Sequence, residues 1–297
     1  MESFAEHAAL VALLRARPGN LTWRKLTAQV LSCGSAVEVW RKYHPDGLLP
    51  SAEKAPLADA ETDLRAWERT GLRFLSAIDV SFPPSMTGTA NTPPFLFARG
   101  RLKYHDPAVA VVGSRDASVR GIQLATAITE YLVEQSLTVV SGLAAGIDSA
   151  AHETALRTGG RTVAFIATGI TKSYPAANRT TQHAIGERGL LLSQFWPEAP
   201  PHKANFLLRN SSIAQYASAA IVVEAGEHSG ARNLAQQAVK LGRPLILTDL
   251  VTDANAWAQQ LLSTSGVYRA ASLTELAEIV QQVVPGTRRE SDAGDAK

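Results

Sequence analysis

The chain has 297 residues, of which 45% are hydrophobic and 19% charged, and its formal net charge is +2 at pH 7. This composition predicts a soluble globular protein with one large domain and a smaller one, and the charge is too low to attract a polyanion without a local patch of cations. A single cysteine, Cys33, excludes an internal disulfide framework and a cysteine-based zinc site. The apolar runs are shorter than a membrane span and the first residues do not resemble a signal peptide, so we expect a cytoplasmic protein with no membrane partner.

Residues 1–70 predict a small helical module. Apolar residues such as Leu26 and Val30 recur at helical spacing, and Ser35 is placed to cap a helix that begins at the next residue. The turn at Pro18-Gly19 resembles hairpins that hold a DNA backbone, but we favour a plain connector between helices.

Residues 71–104 predict a connector that packs on the main domain. The segment is rich in proline, and the prolines at positions 83, 84, 93 and 94 exclude a regular helix. Short strands or extended segments are the conformations that remain. We therefore place a domain boundary here.

Residues 105–285 predict an α/β domain with a doubly wound, mostly parallel sheet. Apolar and β-branched runs alternate with amphipathic helical stretches, as in sheets that are covered on both faces. A last helix opens with Ser272 and Glu275 at capping-box spacing and runs to Val284, and residues 286–297 predict a disordered tail. The predicted strands are Val109–Val112, Thr138–Val140, Thr162–Ala167, Leu190–Leu192, Ala220–Val223 and Leu245–Leu247.

Two glycine turns follow the first two strands and carry the clearest functional signal. In open α/β sheets ligands bind beyond the carboxyl ends of the strands, where Gly113-Ser114-Arg115 and the turn from Ser141-Gly142 to Gly146 fall. Glycine lets the backbone approach a phosphate, the following helix start offers amide donors, and Arg115 adds a guanidinium fork. The alternative is a tightly packed turn with an outward arginine.

Asp148 and His152 lie four residues apart on one predicted helix face. This spacing is typical of a hydrogen-bonded pair or of two metal ligands. Because the sequence offers no third ligand nearby, we expect Asp148 to brace the loop or the helix start, and we expect no metal.

Two later strand-end segments combine cations with aromatic rings. The segment ATGITKSYPAANR contains Lys172 and Tyr174, and the segment WPEAPPHKANFLLRNSS contains Trp196, Lys203, Phe206, Arg209 and Asn210. Single-stranded nucleic acid is bound by cations that track phosphates and by rings on which bases stack. Each aromatic ring alone could instead anchor its loop on the sheet. The stronger inference comes from the cations, because Arg115, Lys172, Lys203 and Arg209 are all expected at one edge of the sheet.

A further strand end, at Glu224, is followed by a helix start at Ser229-Gly230. A hydroxyl and a glycine at a helix start can bind an anion. The carboxylate of Glu224 would repel a phosphate, so we expect it to orient a neighbouring loop or donor.

Motifs of common nucleotide-using and hydrolytic enzymes do not occur. The first turn reads GSRDAS rather than GxGxxG, the second strand ends at Ser141 rather than at an acidic residue, and neither GxxxxGK[ST] nor GxSxG is found. We therefore expect no cofactor and no catalytic constellation, which favours a binding protein over an enzyme.

The chain resembles the DNA-processing protein A (DprA, also called Smf) family over roughly residues 10 to 250. The motifs that carry the resemblance are VAVVGSR, VVSGLAAGIDSAAHETAL, ATGI with YP, GLLLSQF, FLLRN and IVVEAGEHSG, together with the helical module and the proline-rich connector. The resemblance implies a Rossmann-like domain that binds single-stranded DNA without sequence preference, forms a homodimer and hands DNA to a RecA-type recombinase in natural transformation.

The resemblance also implies the site residues, except Lys172, which is expected from its strand-end position alone. Those expected to contact DNA or phosphate are Gly113, Ser114, Arg115, Ser141, Gly142, Gly146, Lys172, Lys203, Phe206, Arg209, Asn210, Ser229 and Gly230. Those expected to shape the pocket are Asp148 and Glu224.

This sequence departs from the family pattern in its last third. Ser211 stands where the family motif has arginine, SGARNLA replaces SGSLxTA, and Thr248-Asp249 replaces PG. We expect no C-terminal winged-helix domain after Val284. A role outside transformation, in recombination or phage defence, stays open.

Two other functions remain possible from the residues alone. The first is a nucleotide-binding or nucleotide-hydrolysing enzyme of the same superfamily, similar to phosphoribohydrolases, in which Glu224 and Ser229-Gly230 act on a ribose phosphate. The segment EAGEHSGARNLA matches the PGGxGTxxE signature of those enzymes poorly. The second is an interaction scaffold that has kept the fold and lost the ligand.

Overall fold

The computed structural model describes residues 4–44 and 51–284, and it divides the chain into two compact units, Met1–Arg99 and Gly100–Lys297. Each unit is described by itself. The predicted disordered tail, residues 286–297, lies outside the described residues. Within the described ranges, no helix is long and apolar enough to cross a membrane.

The first unit begins with the predicted helices, which are α1 (Phe4–Ala16), α2 (Trp23–Cys33), α3 (Ala36–Tyr43) and α4 (Ser51–Arg69). The predicted cap is confirmed, since the Ser35 hydroxyl accepts a 3.1 Å hydrogen bond from the Glu38 amide at the start of α3. The carboxylate of Glu6, on α1, also accepts a hydrogen bond from the Ala36 amide at 2.5 Å. These two contacts fix where α3 begins.

The proline-rich segment of the first unit contains a pair of short antiparallel strands. Strand β1 (Arg73–Ser76) pairs with β2 (Phe95–Gly100). Their side chains form an aromatic cluster, in which the ring centres of Phe74 and Phe95 are 5.4 Å apart and that of Phe97 lies 4.8 Å from Trp67. The segment thus holds extended strands, as its prolines predict.

The described part of the second unit contains seven strands that pair only in parallel, in the order β6-β5-β4-β3-β7-β8-β9. All the predicted strands are present, and the α/β, doubly wound, mostly parallel fold class is confirmed. The bounds are β3 (Ala108–Gly113), β4 (Thr138–Ser141), β5 (Thr162–Phe165), β6 (Leu190–Ser193), β7 (Ala219–Glu224), β8 (Leu245–Thr248) and β9 (Val267–Ala270).

Helices connect these strands and cover the sheet. The core packs α5 side chains such as Ile128 and Leu132 against Val109, Val139 and Ile221 of the strands, all of them fully buried. The helix bounds are α5 (Val119–Glu134), α6 (Ile147–Arg157), α7 (Arg179–Arg188), α8 (Lys203–Tyr216), α9 (Gly230–Lys240), α10 (Asp249–Thr252), α11 (Ala256–Leu261) and α12 (Leu273–Val283).

A polar cluster closes the amino ends of the strands in the second unit. The Asp106 carboxylate accepts hydrogen bonds from Arg161 Nε at 2.9 Å, from the Thr138 hydroxyl at 2.5 Å and from the Tyr216 hydroxyl at 2.6 Å. The Asp106 side chain is only 4% exposed. Burial alone would raise the pKa of Asp106, but these hydrogen bonds outweigh it and hold the pKa below its ordinary value.

The strand order reverses between β3 and β7, and this reversal places the site. The chain runs outward from β3 through β4, β5 and β6, then returns to place β7 on the other side of β3. Such a switch point opens a crevice beyond the carboxyl ends of the two strands, which is where open α/β sheets bind ligands.

Candidate functional site

The end of β3 is built around a glycine. The ladder between β3 and β7 shifts register after Val112, so that Gly113 pairs with Glu224. A Cβ on Gly113 would lie 2.7 Å from the Glu224 carbonyl oxygen and 2.6 Å from Ile147 Cγ1, closer than a side chain permits. The glycine therefore lets β7 and α6 close around the strand end.

The turn that follows directs Arg115 toward α8. The Ser114 hydroxyl accepts a hydrogen bond from the Asp116 amide at 3.2 Å, which tightens the turn. Arg115 is exposed, and its guanidinium carbon lies 4.9 Å from the centre of the Phe206 ring. This distance is that of a cation–π contact.

Phe206 is the point at which three segments meet. It lies on α8, and the guanidinium carbon of Arg209 from the same helix is 6.0 Å from its ring centre. The ring of Tyr174, from the loop after β5, meets it edge to face with the centres 5.8 Å apart. The structure thus brings two arginines and two aromatic rings together, from segments far apart in the sequence.

A cleft of about 570 Å³ lies over these residues. This volume is that of a small-ligand site. The predicted site residues that line it are Gly113, Ser114, Arg115, Asp148, Phe206, Arg209, Asn210, Ser229 and Gly230. The lining also includes Asp116, Ala144, Leu207, Gly226 and His228, which the sequence did not single out.

Arg209 forms the floor of the cleft rather than its rim. Its side chain is 6% exposed, and its Nη1 atom lies 3.6 Å from the Asp148 carboxylate. A Cβ on Gly142 would lie 0.9 Å from the same Nη1, so only glycine leaves room for the guanidinium. Burial lowers the pKa of Arg209, Asp148 opposes that effect, and the charge of Arg115 adds to it. The site therefore contains a buried cation that one ion pair partly compensates.

Asp148 braces the second glycine turn. Its Oδ2 atom accepts hydrogen bonds from the Gly142 amide at 3.2 Å and from the Ala144 amide at 3.3 Å. His152 does not join it, because its Nδ1 atom is hydrogen-bonded to the Thr162 hydroxyl at 2.7 Å. Burial, with a smaller effect of Arg209, lowers the pKa of His152 to about 3, so the imidazole is neutral at pH 7. In residues 4–44 and 51–284, no group of three or more His, Cys, Asp and Glu is arranged to hold a metal.

The carboxylate of Glu224 lies at the start of α5. It accepts hydrogen bonds from the Ser118 amide and the Ser118 hydroxyl, each at 3.0 Å. A Cβ on Gly121 would lie 1.8 Å from its Oε2 atom. The sequence favours the helix start after Gly113-Ser114-Arg115 as an amide donor to an anion, whereas in the structure Glu224 already takes the Ser118 amide. The helix start that faces the cleft is that of α9, through Ser229 and Gly230.

The remaining predicted residues lie outside the lining of the cleft as far as the structure describes it. Ser141 is fully buried and its hydroxyl donates to the Val111 carbonyl at 2.7 Å, while Gly146 precedes α6 with a φ of 74°. Both residues build the turn. Lys172 pairs with Glu198, at 2.5 Å between Nζ and Oε2, and its hydrogen bond lowers the pKa of Glu198.

Lys203 is the first residue of α8 and is exposed. It lies one helical turn before Phe206, so the two share a face of α8. Asn210 follows Phe206 by another turn and donates to the Gly230 carbonyl at 3.1 Å, which ties α8 to the start of α9. Ser211, where the family motif has arginine, is 7% exposed, and its hydroxyl accepts a hydrogen bond from Gln215 Nε2 at 3.2 Å.

One cleft residue that the sequence did not select, His228, had a recognisable signal. His228 directly precedes Ser229, whose hydroxyl accepts a hydrogen bond from the Ala231 amide and caps α9. A histidine at a helix start beside a strand end is a candidate for an anion site. Leu207 follows Phe206 and is 54% exposed, a property that the sequence does not show.

Comparison with known proteins identifies the family. The sequence model of the family described as DNA recombination-mediator protein A matches residues 73–283. The chain belongs to this family. The resemblance to DprA and Smf proteins that the sequence motifs indicate is thereby confirmed.

Two members of the family with curated descriptions are 37% and 40% identical to this chain over the aligned residues. The DNA processing protein DprA of Streptococcus pneumoniae is 40% identical over 169 residues, which are 57% of this chain and 60% of that protein. Protein Smf of Synechocystis is 37% identical over 176 residues, 58% of this chain and 44% of that protein. The aligned part spans about half the length of these relatives.

Solved structures of family members have the same fold. The X-ray structure of DprA from S. pneumoniae superposes with a TM-score of 0.71 at 27% identity and covers 95% of this chain and 98% of that one. A structure of DprA from Helicobacter pylori, described for its single-stranded DNA binding mode, gives a TM-score of 0.64 at 22% identity and covers 72% of this chain and 97% of that one.

Proposed function

We propose that this protein binds single-stranded DNA, without sequence preference, in the cleft beyond β3 and β7. The observation that carries the proposal is the convergence of Arg115 and Arg209 on the Phe206 ring, at 4.9 Å and 6.0 Å. Cations that hold phosphates, beside rings on which bases stack, are what sequence-tolerant binding of single strands requires.

The charges around the cleft favour an anionic ligand. Of the carboxylates near it, that of Asp148 is engaged by Arg209 and two backbone amides, and that of Glu224 by Ser118. Asp116 also lines the cleft and is exposed. The negative charge of Asp116 is outweighed by exposed Arg115, by the buried charge of Arg209 and by the positive end of the α9 dipole.

Most of the predicted residues then have a role in the proposal. Arg115 and Lys203 hold phosphates, and Phe206 offers an aromatic surface to a base. Ser229 and Gly230 present the start of α9, while Gly142, Asp148, Asn210 and Glu224 position these groups. Lys172 would have to leave Glu198 to contact DNA.

The description of the family and its DprA members support a wider role. We infer that the protein holds single-stranded DNA for a RecA-type recombinase, acts as a homodimer and functions in the cytoplasm. Recombinase loading on strands that were first coated with the protein, compared with bare strands, tests the partner, and sedimentation of the free protein tests the dimer.

We further infer that the protein is not an enzyme. In a nucleotide hydrolase of this superfamily, Glu224 would have to face the ribose, whereas here its carboxylate accepts two hydrogen bonds from Ser118, the N-cap residue of α5. Incubation with nucleoside monophosphates should release no free base. Release of base would contradict this part of the proposal.

Fluorescence anisotropy with labelled oligo-dT tests the binding site. Arg115→Ala and Lys203→Ala should each weaken binding to all sequences alike. They should also make the slope of log K against log salt shallower by about 0.7 for each phosphate contact that is lost.

The matched control is Arg157→Ala. Arg157 is also an exposed arginine, 59% accessible, but it lies in the last turn of α6 and pairs with Glu130. Its loss should leave affinity and salt slope unchanged. Wild-type affinity in both Arg115→Ala and Lys203→Ala would reject the site.

A further inference from the structure

A short segment, residues 101–107, crosses the amino ends of the strands, at the edge of the sheet opposite to the cleft. It forms neither helix nor strand and leads into β3. Near its beginning, the Arg101 amide donates to the carbonyl of Gly189, the residue before β6, at 2.9 Å. At its end, the Thr138 amide at the start of β4 donates to the Pro107 carbonyl at 2.9 Å. We call residues 101–107 the edge segment.

The edge segment is ordered by these contacts and by two more. A Cβ on Gly100 would lie 2.4 Å from the Gly189 carbonyl oxygen, so the backbones of the two loops touch where the segment begins. The Asp106 carboxylate, near its end, accepts a hydrogen bond from Arg161 Nε at 2.9 Å. Because the segment is already held at both ends, a ligand that binds it has little conformational entropy to remove.

The side chains between these anchors combine cations with an aromatic ring. Arg101, Lys103 and His105 are exposed, and Tyr104 is 60% exposed. The rings of Tyr104 and His105 meet edge to face with their centres 5.2 Å apart, which leaves the faces of the tyrosine ring open to a further ring. Arg188, directly before Gly189, is also exposed and adds a cation beside Arg101.

Few carboxylates oppose these cations. Asp106 is the one acidic residue between positions 80 and 115, and its carboxylate is buried and neutralised by Arg161. The helices that end at this edge of the sheet contribute exposed Glu134 and Glu187. Within residues 4–44 and 51–284, neither Arg101 nor Lys103 forms an ion pair. The edge segment is therefore a local cationic patch of the kind that a chain with a net charge of +2 needs to attract a polyanion.

We propose that the edge segment is a second contact surface for single-stranded DNA, in which Arg101 and Lys103 hold phosphates and a base stacks on Tyr104. The proposal rests on the proposed function and adds to it a surface at the other end of the sheet. Charge alone would also suit an acidic protein, but an exposed aromatic ring among unpaired cations favours a single strand. The six residues of β3 separate the two ends by about 20 Å, so only a strand longer than the cleft reaches both surfaces.

The test measures binding of two lengths of labelled oligo-dT by fluorescence anisotropy at several salt concentrations. One oligomer has about 6 nucleotides, enough to fill one binding groove, and the other has about 30. The double variant Arg101→Ala/Lys103→Ala should bind the long oligomer more weakly than the wild type, with a slope of log K against log salt shallower by about 0.7 for each lost phosphate contact. It should bind the short oligomer like the wild type.

Tyr104→Ala tests the aromatic contact. It should bind the long oligomer about 5- to 150-fold more weakly than the wild type, the range for one base–aromatic stack, and the short oligomer equally well. Tyr104→Phe keeps the ring and should bind the long oligomer within about twofold of the wild type.

The matched control is the double variant Arg101→Lys/Lys103→Arg, which exchanges the two side chains and keeps both charges. It should bind both oligomers like the wild type. Because the substituted side chains are exposed, every variant should also keep the Tm of the wild type, which thermal unfolding verifies.

The outcomes separate the edge segment from the wider proposal. If Arg101→Ala/Lys103→Ala and Tyr104→Ala bind the long oligomer like the wild type while Arg115→Ala is weakened, the second surface is wrong and the proposed function stands. Equal weakening on both lengths would mean that the edge segment acts on the cleft rather than on the strand, which also overturns the second surface. If the wild type binds neither oligomer, the proposed function fails and the second surface fails with it.

Discussion

Replacing Gly142 by alanine should disturb the floor of the cleft without altering any group that contacts a ligand. The added Cβ would lie 0.9 Å from Nη1 of Arg209, so the guanidinium has to move. The clash is with the end of a flexible side chain, but that end is 6% exposed and pairs with Asp148. Overpacking of this kind costs about 1–3 kcal/mol.

Thermal unfolding and oligo-dT binding of the Gly142→Ala variant measure the two consequences. For a domain of this size, the loss in stability corresponds to a decrease in Tm of about 2–10 °C. Affinity for oligo-dT should also fall, because Arg209 can no longer lie beneath Phe206.

The control for this experiment is Gly226→Ala. Gly226 also lines the cleft, but a Cβ there would meet nothing within 4 Å. This variant should keep the Tm of the wild type. If Gly142→Ala also keeps the Tm and the affinity of the wild type, the guanidinium of Arg209 is not confined by residue 142.

Two further predictions concern stability and pH. The folded state lowers the pKa of His152 from 6.5 to about 3, so between these pH values only the unfolded state gains the proton. The free energy of unfolding should therefore fall by about 1.4 kcal/mol for each pH unit of acidification in this range. In denaturant titrations, the His152→Gln variant should show a shallower dependence of stability on pH. Asp106→Asn removes one partner of a buried ion pair and should cost about 3–5 kcal/mol at neutral pH. Because the folded pKa of Asp106 lies below 3.8, its contribution is present above that value and is lost as the pH falls through the folded pKa, so the difference between Asp106→Asn and the wild type should shrink in acid. A difference that does not change with pH would contradict this account of Asp106.

The sheet could be predicted from the sequence because its strands are continuous buried runs. A run such as Val109–Val112 is apolar at every position and shows no helical periodicity, so its pattern favours a buried strand over a helix. Strand β9 is not predicted by the sequence, since it lies at the sheet edge, where Tyr268 is half-buried and Arg269 is exposed. The predicted strand Thr162–Ala167 ends at Phe165, because the chain turns toward the loop that carries Tyr174.

The composition of the site was more predictable than its geometry. The glycine turns and the residues Arg115, Phe206 and Arg209 were all found from strand-end positions. How deeply these side chains are buried could not be predicted, because the burial of Arg209 depends on Gly142 and Asp148, which come from another part of the chain. Sequence reasoning treats every cation near a strand end as available to solvent.

Charge pairing was the other property that the sequence could not give. Lys172 is neutralised by Glu198 from a different loop, and Glu224 reaches back to α5. The start of α9 lines the cleft, and no local sequence pattern shows that Glu224 instead accepts the amide of Ser118. Such pairings depend on loop conformations, for which local sequence carries little information.

A crystal structure of the protein with a short dT oligonucleotide would show where the strand binds. We expect a phosphate within hydrogen-bond distance of Arg115 and a base against the Phe206 ring. A strand bound away from the carboxyl ends of β3 and β7, with Arg115 free of phosphate, would contradict this expectation.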